Sequence, residues 1–242
     1  MDSIRNQTQR LIKKATWGKE RQTHIRQQIE SGRKEKGDAG QKGETGFDPK
    51  ENAQKMKLKI LEIGAGPKPQ AQLIWPDADI ETLDVDSQYN PTYLHNAETM
   101  LPELYEKYDA VLASHVLEHF VNYRVRDVLM EWKKAVKINT GQVHVVVPSF
   151  EWAAEQALSE HPSRGTLPHL FGGQTTEWDI HKVAFTMRHL RVLFDSCGLA
   201  VIRARTGPYN INAYGEIVVA EQHYVCGIRK PEVEKPIEEI EA

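Results

Sequence analysis

Residues 57–70, KLKILEIGAGPKPQ, decide the fold. Leu58, Ile60, Leu61 and Ile63 form a short apolar run around Glu62, and the run stops at Gly64-Ala65-Gly66. A buried strand that meets two glycines is a parallel α/β sheet turning toward its first helix. A bend without side chains also lets a ligand approach the backbone closely. A dinucleotide clamp needs a third glycine at position 69, where this chain has Pro69. What remains is room for a nucleoside without its diphosphate.

Outward from this bend, strands and helices alternate. DIETLDV (79–85), YDAVLAS (108–114) and GQVHVVVPS (141–149) read as further strands. Val121, Val125, Val128, Leu129, Trp132 and Val136 recur at helical spacing and predict an amphipathic helix. Thr186 is a cap for a helix carrying Leu190, Leu193 and Phe194, with Gly198 as its stop. LAVIRAR (199–205) and EIVVAEQHYVCGIR (216–229) follow without space for a packed helix between them, so they run antiparallel. The pattern predicts a doubly wound α/β sheet over residues 55–230. Ligands of such sheets bind outside the carboxyl ends of the strands. Asp84 follows Glu62 by 22 residues, where a ribose-binding carboxylate belongs.

The net charge of −3 hides a split. Residues 1–36 hold ten Lys/Arg against four Asp/Glu, leaving the remainder at −9, with an acidic tail over 231–242. The basic segment reads as a helical extension, either solvated or an arm for nucleic acid. Within the linker 37–54, Gly37, Gly40, Gly43 and Gly46 recur every third residue, the spacing of a collagen-like stalk. Four triplets without proline favour a flexible linker over a homotrimer. No apolar run approaches the roughly 20 residues that cross a bilayer, and Cys197 and Cys226 form no CxxC pair. A cytoplasmic chain with reduced thiols is the expectation.

The ordered segments LEIGAG, LDVD, YLHNAETMLP, YDAVLASHVLEHF and TGQVHVVVPSF resemble those of class I S-adenosylmethionine-dependent methyltransferases. The resemblance covers roughly residues 57–150, and the final strand pair extends it to about 229. SHVLEHF with the later FGGQ…H is similar to the small-molecule and glycan-type members. It implies a Rossmann-like, seven-stranded, mostly parallel sheet with an antiparallel last strand. It also implies S-adenosyl-L-methionine as cofactor, with a small molecule, sugar or glycan as acceptor, methylated on oxygen. By this likeness Gly64 and Gly66 pass beneath the methionine portion and Glu62 orders its ammonium. Asp84, with Asp86 as substitute, holds the ribose hydroxyls. Asn96 and Ala97 lie by the adenine, and Ser114 and His115 face the methionine and the acceptor. Lys68 and Asn96 depart from the small residue and the aspartate usual there.

For the acceptor side, HLFGGQTTEWDIHKVAFT (169–186) has the glycines, aromatic residues and histidines of a substrate lid. His181 is the first choice of general base, oriented by Asp179 or Glu177, with His169 behind it. Trp178 and Phe171 either wall the acceptor pocket or plug the sheet edge. His115 and His119 stand four apart, a metal-ligand spacing, but Glu118 on a helix would point off their face, so no metal site is expected. DNA-base methylation lacks its D/N-P-P-Y/F/W element, and no Pro-Cys pair follows the YDAVLAS strand to attack a pyrimidine. A −9 core is a poor surface for polyanions, which leaves nucleic acid only to the basic arm. An RNA or protein methyltransferase, or a cofactor-binding scaffold, are the competing readings.

Overall fold

The computed structural model describes residues 57–231. The expectations for the basic segment 1–36, the glycine triplets of 37–54 and the acidic tail lie outside these residues. Seven strands form one sheet in the order β3-β2-β1-β4-β5-β7-β6. They are β1 (Lys59–Ile63), β2 (Asp79–Asp84), β3 (Tyr93–Leu94), β4 (Ala110–Ser114), β5 (Gln142–Pro148), β6 (Leu199–Ala213) and β7 (Glu216–Arg229). The first five are parallel, and β7 runs antiparallel to both β5 and β6.

The larger core lies on one sheet face. Helix α2 (Val125–Ala135) buries Val125, Val128, Leu129 and Trp132 there, and α5 (Met187–Ser196) buries Leu190 and Phe194. Thr186 caps α5 by accepting the His189 N–H at 3.1 Å, and Gly198 follows at φ +70°. On the opposite face, α1 (Ala71–Ile74) is a single turn. Pro67 and Pro69 precede it and Pro76 follows, and a helix grows poorly where N–H donors are missing. Ala71 and Trp75 from this turn cover Ile60, Ala110 and Leu112. Two more helices, α3 (Phe150–Leu158) and α4 (Thr166–Phe171), lie between β5 and α5. No helix among the described residues is long and apolar enough to cross a membrane.

The last two strands outreach the sheet. Pro148 at the end of β5 pairs with Gln222 and the Ser149 N–H donates to Glu221, so Glu216–Ala220 of β7 and Tyr209–Ala213 of β6 pair only with each other. This free hairpin projects past the carboxyl end of the sheet. A Cβ on Gly165, just before α4, would come within 2.6 Å of Ile211 and 3.0 Å of Val218. The hairpin's inner face therefore packs on the turn that starts α4.

Candidate active site

Register puts the ends of three strands level. Ile63 pairs with both Leu83 and Ala113, which places Gly64, Asp84 and Ser114 side by side at the carboxyl edge. Gly64 has φ +63° and Gly66 φ +54°, conformations that cost an L-residue roughly 1–2 kcal/mol. A Cβ on Gly64 would also strike Val116 at 2.5 Å, whereas one on Gly66 would meet nothing within 4 Å. Gly64 is thus required by packing, and Gly66 borders open space. The Gly64 N–H donates to the Leu83 carbonyl at 2.8 Å, and the Gly66 N–H to Asp84 Oδ2 at 2.9 Å.

Glu62 stabilises this bend from beneath. Its buried carboxylate accepts the Gln70 N–H at 2.6 Å and the Ala71 N–H at 2.8 Å, taking over the cap that α1 lacks. Burial raises its pKa, and these two N–H donors offset part of the rise. Lys68, Pro67 and Pro69 are all exposed, so none of them stoppers the bend. Asp84 is 7% exposed, and its Oδ1 accepts the Asp86 N–H at 3.0 Å. Asp86 is occupied otherwise, as cap of the 3₁₀ turn Ser87–Tyr89. Asn96 is exposed and accepts the Glu98 N–H at 2.9 Å. Ala97 is buried, with its carbonyl accepting the Trp132 indole N–H at 2.8 Å.

At the end of β4 the chain turns through His115 at φ +57° into the 3₁₀ turn Leu117–His119. Such a φ is uncommon outside glycine and concentrates at functional sites. His115 Nε2 lies 2.9 Å from Gln222 Oε1, and its ring packs on Tyr209, 4.8 Å between centroids. Tyr209 comes from the projecting hairpin, and Gln222 from its base, where β7 pairs with Pro148 of β5. Glu118 is only 1% exposed, and His115 Nδ1 stands 3.4 Å from its Oε1. Burial alone would lower the His115 pKa, but Glu118 and Gln222 outweigh it and raise it. Burial would likewise raise the Glu118 carboxyl, yet His115, His119 and His181 together hold it below its usual range.

The segment after α4 docks onto this turn. The N–H groups of Lys182 and Val183 both donate to the Glu118 carbonyl, at 2.8 and 3.3 Å, and the His181 N–H donates to Phe171 at 3.1 Å. Gly172, at φ +76°, permits the approach, because a Cβ there would lie 2.2 Å from the Asp179 carbonyl. His181 Nε2 lies 3.9 Å from Glu118 Oε1, and its ring meets that of His119 edge-on at 5.0 Å. Burial lowers the His181 pKa, which favours a neutral imidazole. A small cleft beside these groups is lined by Glu118, Phe150, His169, His181 and Phe185.

Two sequence expectations change here. Asp179 does not orient His181: its carboxylate accepts from the Gly173 N–H at 3.2 Å and the Thr175 hydroxyl at 3.0 Å. Glu177 is exposed, and the acid beside His181 is Glu118. Glu118 in turn does not point away from the histidines. The turn that carries it is 3₁₀ rather than α-helical, and residues 180–183 fold over it. His169 is a packed histidine, donating to the Ser149 carbonyl at 2.8 Å and accepting from the Tyr209 hydroxyl at 2.9 Å. Burial lowers its pKa to about 4. Phe171 and Trp178 are about half exposed.

No protein-family model matches the chain, and no curated protein sequence does. Solved structures do match. A SAM-dependent methyltransferase from Methanosarcina mazei superposes with TM-score 0.53 at 15% identity, over 72% of this chain and 94% of that one. The 1,6-didemethyltoxoflavin-N1-methyltransferase of Burkholderia thailandensis, with its acceptor and S-adenosylhomocysteine bound, gives TM-score 0.51 at 12% identity, over 72% of each chain. The chain has the class I methyltransferase fold. At such identities the likeness concerns the fold alone. Within this methyltransferase fold, Glu62, Gly64, Gly66, Asp84, Ser114 and His115 converge on one edge of the sheet. His181 arrives from the far side of the same edge, with Glu118 between it and His115. Glu118 and His119 are the cluster members that the sequence analysis weighed as ligands and set aside, because it took their turn for a helix. Their signal was the H-x-x-E-H spacing of residues 115–119.

Proposed function

We propose that the protein is an S-adenosylmethionine-dependent methyltransferase acting on a hydroxyl of a small molecule, sugar or glycan. The observation that supports it most is the join of Gly66 to Asp84 across the ends of β1 and β2. The residues suit an adenosyl sulfonium. The bare backbone at Gly66 faces open space, and each Asp84 oxygen accepts a single N–H in the structure. A carboxylate offers about four acceptor sites, so two remain for the paired hydroxyls of a ribose.

Bound S-adenosylmethionine would supply a methyl group on a sulfonium, an already activated leaving group. The protein's part is alignment, which in favourable cases contributes about 7–11 kcal/mol. Asp84 would take the ribose hydroxyls, Asn96 the adenine amine, and the Gly64–Gly66 backbone the methionine portion. Glu62 acts through the loop it caps. Ser114 and His115 border the methionine portion and the acceptor. His181 Nε2, neutral and beside Glu118, is the atom we assign to activating the acceptor hydroxyl. The Burkholderia neighbour, an N1-methyltransferase that holds S-adenosylhomocysteine and 1,6-didemethyltoxoflavin, supports the cofactor and a small acceptor but not the choice of oxygen.

Isothermal calorimetry with S-adenosylhomocysteine tests the first half, and a full chain that does not bind it refutes the reading. Labelled methyl transfer onto nucleotide sugars, glycans, RNA and peptides tests the second. Label on RNA that vanishes when residues 1–36 are removed would transfer the activity to the basic arm's substrate instead.

A further inference from the structure

We propose that Glu118, His119 and His181 bind a divalent transition-metal ion. One candidate ligand atom from each lies within 4.8 Å of the others. Glu118 is 1% exposed, and among the described residues no well-formed hydrogen bond reaches either oxygen, His115 Nδ1 standing off at 3.4 Å from Oε1. Burying an acceptor so poorly served is costly, and a cation at these oxygens removes the cost.

The two histidines are already oriented as ligands. His119 Nδ1 lies 3.1 Å from the Ile180 carbonyl, and His181 Nδ1 lies 3.0 Å from the His169 carbonyl. A carbonyl only accepts, so each Nδ1 carries the proton and each Nε2 keeps its lone pair. Metal-binding histidines are commonly fixed this way, by a carbonyl behind the ring. The scaffold is equally fixed, because Lys182 and Val183 clamp their segment to the Glu118 carbonyl. Ligands about 2.1 Å from a tetrahedral ion are about 3.4 Å apart, so loading draws the side chains together by roughly an ångström. Two imidazoles and a carboxylate suit zinc and its first-row neighbours, whereas calcium and magnesium take oxygen ligands.

The competing account is a plain ion pair, with His115 as imidazolium neutralising Glu118. Yet His115 and His181 both approach Oε1, and Oε2 is left without a donor among the described residues. Three protein ligands leave a position for water or an acceptor oxygen, as in catalytic zinc sites. That an acceptor hydroxyl takes it rests on the methyl-transfer reading, and His181 Nε2 would then act on that hydroxyl as a ligand of the ion instead of as a free base; the metal site itself rests on neither.

The test is zinc binding to the full chain by chelator competition, with cobalt absorption as a second readout. We expect one ion per chain and visible cobalt bands. Glu118→Gln, His119→Ala and His181→Ala should each weaken zinc by at least about 100-fold, more than the 10–100-fold typical of residues behind the ligands. His161→Ala, at an exposed histidine, should leave affinity unchanged. No stoichiometric ion, or one that all three variants retain, overturns the proposal. S-adenosylhomocysteine affinity of the same samples reports folding and separates the two readings. A chain that binds the nucleoside and not zinc loses only the metal site. One that binds zinc through these residues and not the nucleoside loses only the methyl-transfer reading.

Discussion

Gly66 and Asp84 lie 18 residues apart in sequence and share a 2.9 Å hydrogen bond from backbone N–H to carboxylate. The bond ties the bend after β1 to the end of β2, so bend and acid form one unit. Asp84→Ala should weaken S-adenosylmethionine binding by about 1.5–3 kcal/mol, the range for hydrogen bonds to a charged group. Calorimetry on the variant checks this, and unchanged affinity would remove Asp84 from the site.

The two glycines of the bend should separate stability from binding. Gly64→Ala forces a Cβ against Val116 in a left-handed conformation and should cost roughly 1–3 kcal/mol in urea unfolding. Gly66→Ala points into open space, and should lose about 1–2 kcal/mol of stability while lowering nucleoside affinity more. Equal losses of stability and affinity in both variants would contradict the assignment.

Acceptor activation should follow Glu118 rather than Asp179. His181→Ala and Glu118→Gln are each expected to slow turnover about 10²–10⁴-fold with nucleoside affinity intact, the span of lost acid–base help. Asp179→Asn loosens only the Gly173–Thr175 loop and should have a smaller effect on kcat. Turnover assays beside calorimetry distinguish the three.

Acid stability should depend on Glu81. Burial would raise its carboxyl, but the Tyr108 hydroxyl, Lys107, Lys59 and Tyr93 overcome this and bring it to about 2 from 4.5. A depressed carboxyl stabilises the fold above its unfolded value and loses that contribution as pH falls. The wild type should therefore lose stability between about pH 4.5 and about 2 more steeply than Glu81→Gln. Urea midpoints across that range measure the difference.

Removing residues 1–50 should leave S-adenosylhomocysteine affinity unchanged, because every residue placed around the nucleoside lies after position 61. A truncated chain that folds, judged by its melting transition, but no longer binds would show that the basic segment belongs to the site.

The sheet was legible because buried parallel strands are apolar runs closed by glycine or a turn, as at Leu58–Gly64 and Gly141–Pro148. The antiparallel last pair was legible from its missing crossover. The two-residue β3 left no pattern to read, α3 went unread, and the end of α4 falls in a segment, 169–186, where chemistry rather than periodicity drew attention. Near the candidate site, local spacing drew attention to Gly64, Gly66 and Asp84, and the family resemblance to His115; the structure brings all four to one edge of the sheet. The partnership of Glu118 with His181 was hidden, since it depends on residues 180–183 docking on a turn 60 positions earlier. Helical-face reasoning also fails for a turn with three residues per repeat.

The two halves of the crevice have separate foundations. Gly64, Gly66 and Asp84 sit at the ends of the first two strands, while Tyr209 reaches His115 and His169 from a hairpin that leaves the sheet behind. A change of length or sequence in that hairpin alters what is pressed against His115 and His169 without touching the nucleoside side. The fold thus holds two independently variable parts: one arm can be traded while the bend and its acid stay as they are.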